Sequence, residues 1–259
     1  MITDLSVQRA FSGKRTEGFF TDWRDKLIER SDRLIEDLVR KPVTPIWEEM
    51  KNDARRPFDS KKDGKIGDGL FVIKTFADAL LDTHLKIHLA GHSTGAVVLG
   101  HLLTALDVLD IPDLIETCNL MAPACSIDFY REHYEPRLQK QESGKTKVRL
   151  PALSIYNLTE QLEKEDNVSL VYRNSLLYLV SRALERQMDK PILGMQRYSK
   201  KLTKYPGLSI EYSKGGKKGV TTSTSHGGFD NDVNTMNTIM TQILKKVPAK
   251  PFTKEDSKG

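Results

Sequence analysis

Leu85-Lys86-Ile87-His88-Leu89-Ala90-Gly91-His92-Ser93-Thr94-Gly95-Ala96-Val97-Val98-Leu99 decides the reading of the fold. Leu85, Ile87 and Leu89 alternate as the inward positions of a strand do, and from Val97 to Leu109 apolar residues occupy nearly every helical face. The first pattern predicts a strand and the second a buried helix. Between them lies Gly-x-Ser-x-Gly. A sharp strand-to-helix turn needs residues without bulk on either side of the bend. Gly91 and Gly95 are expected to leave room for strand and helix, and the turn presses the Ser93 hydroxyl outward.

A serine hydroxyl is a weak nucleophile until a base takes its proton, and the base needs a carboxylate to fix its tautomer. The stretch from Leu85 to Leu99 resembles the nucleophile elbow of the α/β-hydrolase superfamily, in particular its esterase- and lipase-like serine hydrolases. The resemblance implies an α/β fold with a mostly parallel sheet and flanking helices, and Ser93 as nucleophile. It also implies the chain order serine, acid, histidine, with the histidine in a loop after the last strand. Leu208-Ser209-Ile210-Glu211-Tyr212 reads as a final strand, and Ser225-His226-Gly227-Gly228-Phe229 follows it. His226 is therefore the expected base. For the acid, Asp166-Asn167-Val168 resembles the Asp-x-Val turn that many family members place after the penultimate strand, here Leu153 to Leu158. Glu160 lies nearer that strand end and is the alternative acid.

An oxyanion needs two donors. The N–H of Thr94, directly after Ser93, is expected to be one, while the second has no visible source. Family members place several strands ahead of the elbow, one of them carrying a His-Gly type oxyanion loop. Here the residues before the elbow strand read mostly as helix, so the usual N-terminal oxyanion strand is expected to be lacking. A helix is expected from Thr21, with Trp23, Leu27, Ser31, Leu34 and Leu38 on one stripe, ended by Pro42 and Pro45. Another is expected from Ile46 to about Arg55, and a third from Leu70 to about Asp82. The expected organisation is one domain over 1–246. Its segment 1–82 is helical and cap-like, 83–246 forms the catalytic core, and 247–259 is a disordered tail.

After the elbow helix, Leu114 to Ala124 reads as the next parallel strand, ending in Ala122-Pro123-Ala124 beside the site. Helices are expected from Ile127 to about Gln139, from about Leu170 to Arg186, and from about Asn231 to Leu244 with Asp230 as cap.

The other chemical signals are weaker. His84, His88 and His92 recur every four residues, but a strand and a turn give them no common helical face, and no metal or other cofactor is expected. His92 is expected to line the site. His101 and His133 read as packed or surface residues, and Cys125 lacks an elbow. The 259 residues carry a formal net charge of +5, much of it in Lys200, Lys201, Lys204, Lys214, Lys217, Lys218 and the tail. Without interleaved aromatics this argues against nucleic acid. Two cysteines give no disulfide framework, and no apolar run is long enough to span a bilayer. A cytoplasmic protein is expected. The resemblance implies a small-molecule ester of short or medium acyl chain as substrate, and leaves the oligomeric state open. A rival expectation is a hydrolase-like scaffold with a weak or dead site, acting as a binding module.

Overall fold

The computed structural model describes residues 32–59, 66–80, 83, 85–111, 114–138, 148–166, 174–216 and 218–256. The expected helix before Asp32, His84, and Asn167-Val168 of the Asp-x-Val turn lie outside them. In chain order the main elements are α1 (Asp32–Arg55), α2 (Asp68–Leu80), β1 (Ile87–His92), α3 (Gly95–Val108), β2 (Ile115–Met121), α4 (Ile127–His133) and β3 (Ala152–Leu158). They continue with α5 (Glu160–Glu165), α6 (Leu176–Leu179), α7 (Gln196–Ser199), β4 (Leu208–Ser213) and α8 (Val233–Leu244). The protein is α/β, with a parallel sheet of four strands in the order β1-β2-β3-β4 and helices flanking it. No helix among the described residues is long and apolar enough to cross a membrane.

The period of two along each strand sorts the core onto the two sheet faces. Cys118 and Leu120 of β2, with Leu153 and Ile155 of β3, join Ala96, Val97, Leu103 and Leu106 of α3 in one cluster. The alternate residues Met121, Tyr156 and Leu158 pack with Phe229 and with Ile239 of α8 in another. Because all four strands run the same way, their carboxyl ends open on one edge. Parallel α/β sheets form sites along such an edge.

The structure departs from expectation at both prolines. Pro42 and Pro45 lie inside α1, which runs unbroken for 24 residues. An interior proline removes a helical hydrogen bond and crowds the preceding turn. Tertiary contacts offset that cost. Val43 and Trp47 are buried against Leu177, Val180, Ala183 and Leu184. Trp47 Nε1 donates to Glu185 Oε1 at 2.8 Å, and Thr44 Oγ1 donates to the Ala183 carbonyl at 3.0 Å. The expected helix 170–186 is also shorter in its described part. It holds only α6 and a π-helical turn, Val180–Leu184, before Glu185 turns extended. Asp232, rather than Asp230, caps α8 by accepting the Thr235 N–H at 3.1 Å. Beyond α8 the segment expected to be disordered is described to Asp256. There Asn237 Nδ2 donates to the Phe252 carbonyl at 2.9 Å, and Asn237 Oδ1 accepts the Phe252 N–H at 2.8 Å.

The two elbow glycines differ. A Cβ on Gly91 would lie 2.8 Å from Leu99 Cδ1 and 3.1 Å from the Gly95 carbonyl carbon, so strand and helix need a glycine there. A Cβ on Gly95 would meet nothing within 4 Å, against the expectation that both leave room. Gly91→Ala is expected to destabilise by about 1–3 kcal/mol through overpacking. Gly95→Ala, inside α3, is expected to be neutral or to stabilise by up to about 1 kcal/mol. Urea unfolding of the two variants checks the contrast.

Candidate functional site

Ser93 follows β1 and precedes α3 with φ of +54°, in the left-handed region that a side chain other than glycine's adopts at a cost. Three backbone hydrogen bonds hold it there. Its N–H donates to the Met121 carbonyl at 2.9 Å, and its carbonyl accepts from the N–H of Ala124 at 3.0 Å and of Ala96 at 3.2 Å. The end of β2 thus grips the turn on both sides. The segment Ala122-Pro123-Ala124, read from sequence as lying beside the site, supplies one of those donors. Thr94 caps the 14-residue α3, so the Ser93 side chain stands at the positive end of a helix.

His226 opens a 3-10 turn, His226–Gly228, after β4. Its Nε2 lies 3.0 Å from Ser93 Oγ, joining residues 133 positions apart in sequence. The imidazole is buried, and burial together with the neighbouring His92 pulls its pKa from 6.5 down to about 3. The ring is therefore neutral at pH 7, with Nε2 free to accept the serine proton when Nδ1 carries the hydrogen. That Nδ1 is buried and, among the described residues, has no hydrogen-bond partner.

The main chain of His226 is pinned on both sides. Its N–H donates to Asp166 Oδ2 at 2.6 Å, and its carbonyl accepts from His92 Nε2 at 2.8 Å. A carbonyl can only accept, so His92 carries its hydrogen on Nε2. Its Nδ1 faces Asp230 Oδ2 at 3.6 Å. Sequence placed His92 in the lining of the site; its hold on the histidine turn is the part that reading missed, because it needs the two loops in space. Asp166 ends α5, its N–H bonded to the Leu162 carbonyl at 2.8 Å. Burial pushes its carboxyl above the ordinary value, and the His226 N–H acts in the opposite sense. The structure thus brings Ser93, His226 and Asp166 together, with Asp166 on the main chain of His226 rather than on its ring.

Glu160 is directed elsewhere. Its Oε1 lies 2.7 Å from Arg197 Nη2 and 3.3 Å from Lys164 Nζ. His88 Nδ1 pairs with Thr117 Oγ1 at 2.9 Å, and no group of three or more metal-ligating side chains forms among the described residues. Cys118 and Cys125 are free and buried; burial raises the Cys118 thiol to about 12 and the Cys125 thiol higher. A thiol so far above neutrality is no nucleophile. A cavity of about 440 Å³ between α1, α3 and α4 is lined by Arg55, His101, Phe129 and His133, and contains neither Ser93 nor His226.

No protein-family model matches the chain. No curated protein and no solved structure matches it either.

The buried histidines set a pH dependence of stability. Burial lowers His226 to about 3, and His101 and His133 to about 4, all below the 6.5 of an unfolded chain. The unfolded state then binds protons more tightly than the folded one. The contribution is fully present above about pH 6.5 and is lost as pH falls from there toward 4. Thermal melts from pH 6.5 down to 4 are expected to show this loss, the three histidines outweighing the opposite contribution of Glu163, whose carboxyl is raised by burial to about 8, and His226→Gln is expected to make it shallower. A wild-type melting temperature that rises as pH falls from 6.5 would contradict the assignment.

Proposed function

We propose that the protein is a serine hydrolase acting on carboxylic esters by way of an acyl-enzyme. The observation that carries this reading is the 3.0 Å contact between Ser93 Oγ, on a positive-φ turn at a helix N-terminus, and the free Nε2 of a neutral, buried His226. The resemblance of the elbow sequence and of the histidine loop to α/β-hydrolases adds to it.

In this mechanism Ser93 Oγ attacks the acyl carbon while its proton passes to His226 Nε2. The Thr94 N–H, at the start of α3, faces the developing oxyanion. His226 returns the proton to the leaving alkoxide, and water repeats the cycle on the acyl-enzyme. Asp166 is the acid. It holds His226 through the main chain, and a turn of its side chain would give Nδ1 the acceptor it lacks. The substrate class, an ester of short or medium acyl chain, rests on the resemblance. The free, buried cysteines suit a reducing compartment such as the cytoplasm.

The orphaned Nδ1 favours one rival, a hydrolase-like scaffold whose site binds without turning over. A fluorophosphonate read by intact mass separates the two. The proposal expects one adduct on the wild type and none on Ser93→Ala. Hydrolysis of a short nitrophenyl ester should fall on the order of 10³-fold or more in Ser93→Ala and His226→Ala. It should fall by at least about tenfold in Asp166→Asn. A folded wild type that takes no adduct supports the scaffold and sinks the hydrolase.

A further inference from the structure

Glu163 lies three residues before Asp166 on α5 and is almost wholly buried, at 1 % exposure. A carboxyl group is costly to enclose without a role. Two of its contacts tie it to Ser175. The Ser175 N–H donates to the Glu163 carbonyl at 2.8 Å, and the Ser175 hydroxyl bonds Glu163 Oε2. Ser175 is the residue from which α6 starts. The Glu163 N–H in turn bonds the Thr159 carbonyl at 2.9 Å, directly after β3. One residue therefore fastens the start of α6 to the short helix that presents Asp166.

We propose that Glu163 is a positioning residue for Asp166, holding the end of α5 so that the Asp166 carboxylate stays on the main-chain N–H of His226. The inference deepens the hydrolase reading and rests on it for its catalytic meaning. Its physical content, the hold of Glu163 on the contact between Asp166 and His226, is separable. A short helix of six residues has little stability of its own. Asp166 has one hydrogen bond to that helix, from its N–H to Leu162. The start of α5 is held separately, the Glu160 N–H donating to Gln196 Oε1 at 2.8 Å and Glu160 Oε1 lying 2.7 Å from Arg197 Nη2, while Glu163 supplies the anchor near its Asp166 end.

The charge state fits this role. Burial raises Glu163 to about 8, the negative charge of Asp166 acting in the same direction and the Ser175 hydroxyl against it. At pH 7 the group is therefore mostly neutral, and no second anion repels Asp166. The unpartnered Oε1 is also less costly on a neutral carboxyl than on an ionised one. From α6, Tyr178 faces this region, its ring flanked by the guanidinium groups of Arg182 and Arg197, each 5.0 Å from the centroid. Arg197 is matched by Glu160. Above pH 8 ionised Glu163 and Asp166 repel one another, and the grip on His226 should loosen.

The test follows the His226 amide by hydrogen exchange in the full chain, corrected for the intrinsic rise of exchange with pH. Fluorophosphonate labelling rates are taken on the same samples. Glu163→Ala is expected to lower His226 protection and the labelling rate by about tenfold or more, with the amides of α3 and α8 unchanged. Glu163→Gln keeps an acceptor for Ser175 and should restore both to within about threefold at pH 7. It should also abolish the loss of His226 protection that the wild type shows between pH 7 and 9. Unchanged protection in Glu163→Ala, or an alkaline loss that persists in Glu163→Gln, overturns the proposal. If Glu163→Ala does not fold, the alkaline behaviour of Glu163→Gln decides. A wild type that takes no label while its His226 protection depends on Glu163 removes the hydrolase reading and leaves the positioning role standing.

Discussion

The backbone of Ser93 is the constraint on which the rest of the site depends. A serine at positive φ costs on the order of 1–3 kcal/mol and persists only where surroundings over-determine it. Here β2 does so from both sides, Met121 taking the Ser93 N–H and Ala124 giving its own to the Ser93 carbonyl. Those bonds exist because β1 and β2 are parallel neighbours in register, His92 opposite Met121. Neither the direction of the Ser93 side chain nor its approach to His226 would survive a register slip, which reverses the facing of every side chain on the strand.

The elbow was legible in the sequence because its signals are local. Alternation before Gly91, an apolar run after Gly95, and a serine between them follow from periods a single strand and helix impose. The four strands were legible for the same reason. The unbroken α1 was not, since Pro42 and Pro45 argue correctly against a helix and lose only to contacts with residues about 140 positions away, Trp47 with Glu185 and Thr44 with Ala183. The capping of α8 was misplaced by two residues because Asp230 and Asp232 are chemically alike in a string. Their partners distinguish them: Asp232 accepts the N–H of Thr222 at 2.7 Å and of Thr235 at 3.1 Å, while Asp230 faces His92.

At the site the same division holds. Ser93 and His226 could be paired on paper because a residue type and a chain order suffice. Asp166 was one acid among several in a stretch containing Glu160, Glu163 and Glu165. What separates them is where each faces: Glu160 toward Arg197, Glu163 toward Ser175, Asp166 toward His226. A six-residue helix turns its faces through all three directions, and no pattern in the string records which direction meets which partner. His92 illustrates the point from the other side. Its position next to the serine placed it in the site, but its hydrogen bond to the His226 carbonyl depends on a loop arriving from the far edge of the sheet.

The place of His226 is set by main-chain bonds and its proton affinity mainly by burial, with His92 contributing to both, and that division bears on the proposed reaction. Main-chain bonds to Asp166 and His92 fix the ring's place without touching its nitrogens. Burial, with His92 acting in the same direction, then lowers its basicity, which a base for serine has to recover. A carboxylate facing the ring favours the imidazolium and raises the pKa of such a group. Asp166 is already beside His226, with one oxygen on the main chain and the ring's Nδ1 unpaired. In the proposed reaction its work is therefore electrostatic as much as orienting. On that proposal the resting site would store a neutral base in place, and the barrier would fall when the carboxylate turned its charge toward the ring. That division explains why the anchoring of α5 matters more than its short length suggests. A small displacement of Asp166 would leave Ser93 and His226 in contact while weakening the field that makes the contact productive.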